Sequence, residues 1–439
     1  MNKLPPNRMS AVEPRVINTG AYGVVLSPAL QNEPPYENDP QGLITKVFYR
    51  KQDYDIIRQK RKKLAKILGT MNDGYQFEEY EREWLGRNLP PKAQRLLKEA
   101  INENGDAPYD SSTRFYPIRM PHLGTSLQSL RGEELASCQV VHLLTAIKKI
   151  YRVLGKLAEH RTLHGDIHSG NILVYQAGSF CDMFLIDYDL FETYDEQKRA
   201  YAEGRKYIYG PPESYYLLEP HLRPPLSVSK NLDENKEEDD VMHVYFARFY
   251  GNEYIRTLYP TIQPLKNQIK QAILTHGDKP IHSSHMDSFL VSGVFLHLLY
   301  RTYPFLKQRN NRPSESLSPQ EEKAIRNTVE ILVQGFALSA ANRLGPDEIV
   351  ADLQRVLSRL RGQKTPPASP APAPAPASTA STASAHSSCS KNENKGKNKN
   401  SCIVSGGTRK RTKGAKRAKR AKRAKRAKSV KKIGRAKQQ

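Results

Sequence analysis

The feature that most constrains this chain is a break in composition after Gly362. Beyond it comes "TPPASPAPAPAPASTASTASAHSS", a Pro/Ala/Ser stretch with no apolar run from which to build a core. Residues 415–428 then read "AKRAKRAKRAKRAK". A period of three does not keep one apolar face on a helix, and its like charges repel, so this segment is expected to be disordered when alone. Folding is thereby confined to what precedes the break. The expected organisation is a flexible N-terminus over 1–14, a folded body in two parts (15–120 and 121–361), a linker over 362–390 and a basic low-complexity tail over 391–439.

The charge follows the same boundary. Of a net +24, residues 362–439 supply 22 Lys/Arg against a single acid, Glu393, whereas residues 1–361 carry 47 Lys/Arg against 44 Asp/Glu. The body therefore has the balance of an ordinary soluble domain. Residues 409–437 of the tail suit a polyanion: many Lys/Arg side chains release counterions on binding, so affinity would fall steeply with salt. The tail has no aromatic residue to stack on bases and no reading helix, so nucleic-acid binding through it would be independent of base sequence. Basic runs also serve as nuclear localisation signals, and an acidic protein surface is a further possible target.

The four cysteines (Cys138, Cys181, Cys389 and Cys402) show no CxxC spacing, which suggests a reducing, intracellular setting. "MNKLPPNRMSAVEP" lacks the apolar core of a signal peptide. The most apolar stretch, "FLVSGVFLHLLY" at 289–300, is too short to span a bilayer and reads as a buried helix, so no membrane partner is expected.

Within the body, "RVINTGAYGVVLSP" reads as strand, Gly turn, strand, and "LITKVFY" (43–49) as a third strand. Asp53 is placed to cap a helix running to about Leu68. Residues 73–112 give only weak helical signals, and "YPIRM" (116–120) looks like a short strand. From Ser137 to His160 apolar residues recur at helical spacing, predicting a long buried helix. "NILV" and "MFLIDY" read as two short strands, and further helices are expected near 241–250, 286–300, 320–339 and 346–361. Strands first and helices later predict an α+β protein with a small β-rich lobe and a larger helical one.

Between the long helix and the strand pair lies "LHGDIHSGNILV" (163–174), with an Asp followed five residues later by an Asn. Phosphoryl transfer needs a backbone loop over the phosphates, a cation on them, metal-binding oxygens and an acid near the acceptor hydroxyl. The chain supplies one candidate for each, in consistent order. Gly20 and Gly23 would let the backbone approach the phosphates, and Lys46 could reach them. Asp166 could orient the acceptor, and Asn171 and Asp187 could hold magnesium. Each alone is a weak signal; their joint order and spacing are specific.

At these residues the sequence resembles the protein kinase fold over about residues 16–361, and more narrowly the divergent serine/threonine kinases encoded by large DNA viruses. The resemblance implies a bilobal kinase-like fold and transfer of the ATP γ-phosphate, with Mg2+ or Mn2+, to Ser/Thr of a protein substrate. The setting would be host cytoplasm, nucleus or virion. It implies that Gly20, Gly23, Val25, Lys46 and Met120 of the hinge-like "MPHLG" bind the nucleotide. Asp166 would act as base, and Asn171 and Asp187 as metal ligands. Glu213 of "YIYGPPE" would end the activation segment and pair with Arg343 of "ANRLGPDE", and Asp287 would brace the catalytic loop.

The sequence also departs from that family. Asn18 stands in place of the first loop Gly, which Asn's tolerance of left-handed backbone makes mild. Gly165 replaces the Arg that pairs with a phosphorylated activation loop. His168 replaces a Lys, and a His there can donate a hydrogen bond when neutral and add charge when protonated, so it joins Asp166 and Lys46 as a catalytic candidate. Asp189 replaces a Gly after the metal-binding Asp. The helix acid expected to pair with Lys46 is Asp55, with Asp53 next. A Gly before the Asp and a His after it also resemble aminoglycoside and choline phosphotransferases, the main alternative. A nucleic-acid-binding protein on a degenerate kinase scaffold is the third reading.

Overall fold

Short runs of β-branched residues broken by Gly or Pro build the first part of the chain, and long amphipathic runs build the second. In the computed structural model, the described residues are 15–20, 23–27, 43–48, 50–69, 78–79, 84–85, 91–104, 113–202, 211–217, 252–277, 281, 284–307 and 317–362. The chain divides into two units, Met1–Ala368 and Ser369–Gln439, and every described residue lies in the first. The result is a mixed α+β architecture, β-sheet in its N-terminal part and helical in its C-terminal part.

The sheet runs in the order β1 (Arg15–Gly20), β2 (Gly23–Ser27), β3 (Leu43–Phe48), β6 (Arg114–Pro121) and β4 (Glu78–Glu79), with β5 (Trp84–Leu85) also paired to β6. All these pairings are antiparallel. Helices cover both faces. Val24, Leu26, Val47 and Phe115 pack with Leu97 and Ile101 of α2 (Pro91–Asn104). Phe48 and Ile118 pack with Tyr54 and Ile57 of α1 (Lys51–Leu68). That double cover is why β3 is mostly buried rather than alternating in and out. Helix α1 starts two residues before the expected cap. Arg50 occupies the cap position without a side-chain bond, and Asp53 lies in the first turn, where its charge favours the helix dipole.

The C-terminal core forms around α4 (Val140–Glu159), which follows the short α3 (Gly132–Ala136). Leu143, Leu144, Ile147, Ile150, Leu154 and Leu157 repeat along its buried face. The predicted helix from 137 thus starts at Val140, after Gln139 as its cap residue. Two small antiparallel pairings follow α4. One joins β8 (Thr162–Leu163) to β11 (Glu192–Thr193); the other is the hairpin of β9 (Ile172–Ala177) and β10 (Phe180–Leu185), with β7 (Thr125–Ser126) alongside β9.

Helices α5 (Tyr194–Ala202), α6 (Glu253–Leu258) and α7 (Ile262–His276) were not anticipated. Helix α8 (Ser284–Thr302) is apolar nearly all round and accordingly buried. Helix α9 (Pro319–Gly335) opens on a Ser318/Glu321 capping box with Pro at its first position, and α10 (Pro346–Leu360) ends the described body. The helix expected near 241–250 lies outside the described residues. Among the described residues no helix is long and apolar enough to cross a membrane.

Candidate active site

Lys46 owes its position to strand alternation. It faces the α1 side of the sheet with Phe48, level with Val25 on β2 and Ile118 on β6. Its ammonium lies 5.5 Å from the centre of the Phe48 ring and only 12% of its side chain is exposed. From there it reaches Oδ1 of Asp187 at 3.0 Å and Oδ2 of Asp189 at 2.6 Å.

Gly20 and Gly23 are register partners at the β1–β2 turn; residues 21–22 lie outside the described set. A Cβ on Gly23 would sit 2.0 Å from the Val47 carbonyl oxygen, so close strand approach already demands glycine there, whatever binds above. Met120 lies near the end of β6, opposite Ile44, and packs partly buried against the Phe48 cluster.

The loop between β8 and β9 is braced from three sides. Asp287, buried in the first turn of α8, accepts the backbone N–H of His164 at 2.6 Å and of Gly165 at 3.3 Å. Gly165 sits at φ +78°, a region that favours glycine over any residue with a side chain. His164, fully buried, accepts the Asp166 N–H through Nδ1 at 3.3 Å. That assigns the proton to Nε2, which donates to the Ile186 carbonyl at 2.9 Å. His164 therefore ties the turn bearing Asp166 to the strand end bearing Asp187. It also meets Tyr188 with ring centres 4.4 Å apart.

Asn171 closes the loop on itself. Its Nδ2 donates to the backbone oxygen of Asp166 at 2.9 Å and to Oδ2 at 3.3 Å, which leaves its amide oxygen for a cation. The Asn171 carbonyl accepts the Ile186 N–H at 2.9 Å, fixing this turn beside the next. His168 caps the single turn Ser169–Asn171: its Nδ1 accepts the Gly170 N–H at 3.0 Å, and its Nε2 faces Asp166 Oδ2 at 3.8 Å.

Asp187 adopts the left-handed conformation at φ +62°, rare for a residue with a side chain and concentrated at functional sites. Desolvation works against its charge although its side chain is 39% exposed. The Lys46 charge and hydrogen bond outweigh that and hold the carboxyl below the usual range. Asp189 goes the other way. Its side chain is 7% exposed, and burial together with the Asp187 charge outweighs Lys46 and raises its pKa. Asp189 Oδ1 is buried and meets no donor.

Asp55 does not meet Lys46. Its carboxylate takes Lys51 one turn back at 2.8 Å and is 42% exposed, because the inner face of α1 is given to Tyr54, Ile57, Leu64 and Leu68. The carboxylate nearest Lys46 comes instead from Asp189, not from the helix. Further from the cleft, Arg343 binds Glu213 through both terminal nitrogens, and both residues are buried. Arg343 also donates to the carbonyls of Ala337 and Leu338 and lies over the Phe289 ring.

Sequence reasoning passed over His164. The only signal for it was its place two residues before Asp166.

No protein-family model matches the chain, and no curated protein does. Among solved structures, two double mutants of the Mycobacterium tuberculosis PknI kinase domain align with 78% of this chain and 94% of theirs. Identities are 9% and 10%, and TM-scores 0.34 and 0.32. At that distance the chemistry has to be read from the site's own geometry.

Proposed function

We propose that the protein is a serine/threonine protein kinase that transfers the γ-phosphate of ATP to a hydroxyl of a protein substrate. The observation that carries this reading is the meeting of three elements. Lys46 from the sheet is ion-paired to Asp187, and Asp187 is tied through His164 and Ile186 to the turn in which Asn171 holds Asp166.

In this reading Lys46 holds the nucleotide phosphates and Asp166 accepts the proton of the attacking hydroxyl. His168 offers its Nε2–H beside Asp166, while Gly20, Gly23, Val25 and Met120 line the nucleotide side. Asn171 and Asp187 supply oxygen ligands suited to a hard cation such as Mg2+ or Mn2+. Among the described residues no three His, Cys, Asp or Glu side chains could hold a metal together. One or two protein oxygens together with substrate phosphates are the usual way Mg2+ is held. When bound, the cation neutralises charge on the transferred phosphate.

The buried Arg343–Glu213 pair favours a protein substrate over a small one. It anchors Glu213, the last residue of the stretch 188–213, whose length in sequence is enough to dock a peptide. Residues 409–437 would bind nucleic acid or another polyanion and raise the local concentration of substrates gathered there.

The test is phosphate transfer from ATP and magnesium by the purified full chain, beside Asp187→Asn. Acceptors are a basic protein, an acidic casein-like protein, the chain itself, aminoglycosides and choline. Transfer to protein Ser or Thr that vanishes in Asp187→Asn is expected. Transfer to small molecules alone would move the protein to the small-molecule phosphotransferases. No transfer at all would leave a nucleic-acid-binding protein on a kinase-like scaffold.

A further inference from the structure

We propose that Asp189 is the positioning carboxylate of Lys46, and that Lys60 couples helix α1 to it. The proposal rests on the phosphotransfer reading above and assigns a task that neither acid of the helix performs, since Lys46 pairs with Asp187 and Asp189. Helix α1 contains two acids. Asp53 lies in its first turn, and Asp55 is bound to Lys51 on the outer face. What α1 turns toward the cleft is cationic: Lys60 donates to the backbone oxygen of Asp189 at 2.8 Å and pairs with Glu192 at 3.7 Å, and the Arg61 charge acts on Asp189.

The polarity of the contact is therefore reversed. Instead of a helix acid reaching down to the strand lysine, the acid sits in the loop and the helix grips that loop's main chain. Asp189 is suited to the task. It approaches Lys46 more closely than Asp187 does, at 2.6 Å against 3.0 Å, and it is far less exposed. It belongs to the single turn Tyr188–Leu190, which is pinned by the contact of Tyr188 with His164. With Asp189 holding Lys46, the Asp187 carboxylate can turn to a cation without setting the lysine loose. The Lys60 contact means that a displacement of α1 pulls on the same turn, so helix position and lysine position change together.

The experiment uses full-length protein carrying Asp189→Asn, Asp189→Glu, Lys60→Gln or Asp55→Asn. Thermal melting checks the fold, a fluorescent ATP analogue measures nucleotide affinity, and steady-state kinetics separate kcat from KM. Asp189→Asn is expected to lose about 100-fold in kcat/KM for ATP, the scale of a reacting group misplaced by an ångström. Asp189→Glu should recover most of that loss, Lys60→Gln should lose about 10-fold, and Asp55→Asn should match wild type.

Wild-type kinetics in Asp189→Asn, or an equal loss in Asp55→Asn, would overturn the proposal. If the wild-type chain phosphorylates no acceptor, the kinase reading falls by itself and nucleotide affinity decides. Weaker binding in Asp189→Asn but not Asp55→Asn sustains the positioning role; equal binding in all variants ends it. Should Asp189→Asn fail to fold, Lys60→Gln decides: slowed transfer with an unchanged KM for the acceptor sustains the coupling, and wild-type behaviour overturns it.

Discussion

Arg343 meets the Glu213 carboxylate with both terminal nitrogens of its guanidinium, in a place where the two side chains are 0% and 3% exposed. Two charges so far from water hold each other in place, and the Ala337 and Leu338 carbonyls take further guanidinium hydrogens. Removing one partner strands the other. Glu213→Gln or Arg343→Met should each cost about 3–5 kcal/mol in denaturant unfolding. A double variant should cost less than the two single losses added together, which a double-mutant cycle would read directly.

Asp166 is held by Asn171 and faces His168, whereas Lys46 pairs with Asp187 and Asp189. Asp166→Asn should therefore lower turnover by about 10²–10⁴-fold while leaving nucleotide affinity near wild type, as expected when a general base is removed. Fluorescent-nucleotide titration beside a turnover assay separates the two effects. A matching loss of affinity would mean the residue serves binding.

Gly23 and Gly178 are both turn glycines but for different reasons. Gly23 lacks room, with the Val47 carbonyl 2.0 Å from where a Cβ would stand. Gly178 has open space but a φ of +60°. Gly178→Ala should cost about 1–2 kcal/mol, the strain of a left-handed alanine. Gly23→Ala has to push strands apart and should cost up to about 3 kcal/mol, with weakened nucleotide binding as β1–β2 shifts. Thermal melts of the two variants give the comparison.

His297 brings a pH dependence to the helical part. Its Nδ1 accepts the Glu253 N–H at 2.9 Å. Burial first, then the charges of Arg301, Arg256 and Lys307, lowers its pKa, against a smaller opposite effect of Glu253. A histidine whose folded pKa lies below its unfolded value contributes stability that is complete above the unfolded value, near 6.5. That stability is lost as pH falls through the folded value. Glu253, held below the carboxylate range chiefly by its Lys307 bond, loses its contribution only at more acid pH. Denaturant midpoints should therefore fall between pH 7.5 and pH 5.5, and His297→Gln should flatten that slope. An unchanged slope in the variant would place the titration elsewhere.

The 22 Lys/Arg of residues 362–439 make a prediction in solution. Duplex DNA binding by the full chain should fall log-linearly with salt, with a slope of about −0.9 per phosphate contacted, and should show no preference for base sequence. Deleting residues 363–439 should remove that binding and leave phosphate transfer to a free peptide unchanged. Filter-binding titrations at several salt concentrations would check both.

Much of the architecture was legible because its signals are local. The β-branched runs around Val24 and Val47 read as strands, and the apolar repeat from Leu144 to Leu157 reads as a helix, as the structure has them. Helix α7 was missed because its buried stripe is short, Leu265, Ile269 and Ile273. Helix α1 began before Asp53 because packing of Tyr54 and Ile57 under the sheet, rather than a cap bond, sets where it starts.

The order of Lys46, Asp166, Asn171 and Asp187 along the chain was enough by itself to raise a phosphotransfer site, since residue types and spacing carry that chemistry. What Lys46 binds was not decided there. Asp55 and Asp189 are both acids near plausible elements, and sequence distance ranks neither. The fold decided for Asp189: a helix buries one face, α1 buried its apolar one, and Asp55 was left to Lys51 outside. The pinned turn after Asp187 then placed the other carboxylate under the lysine.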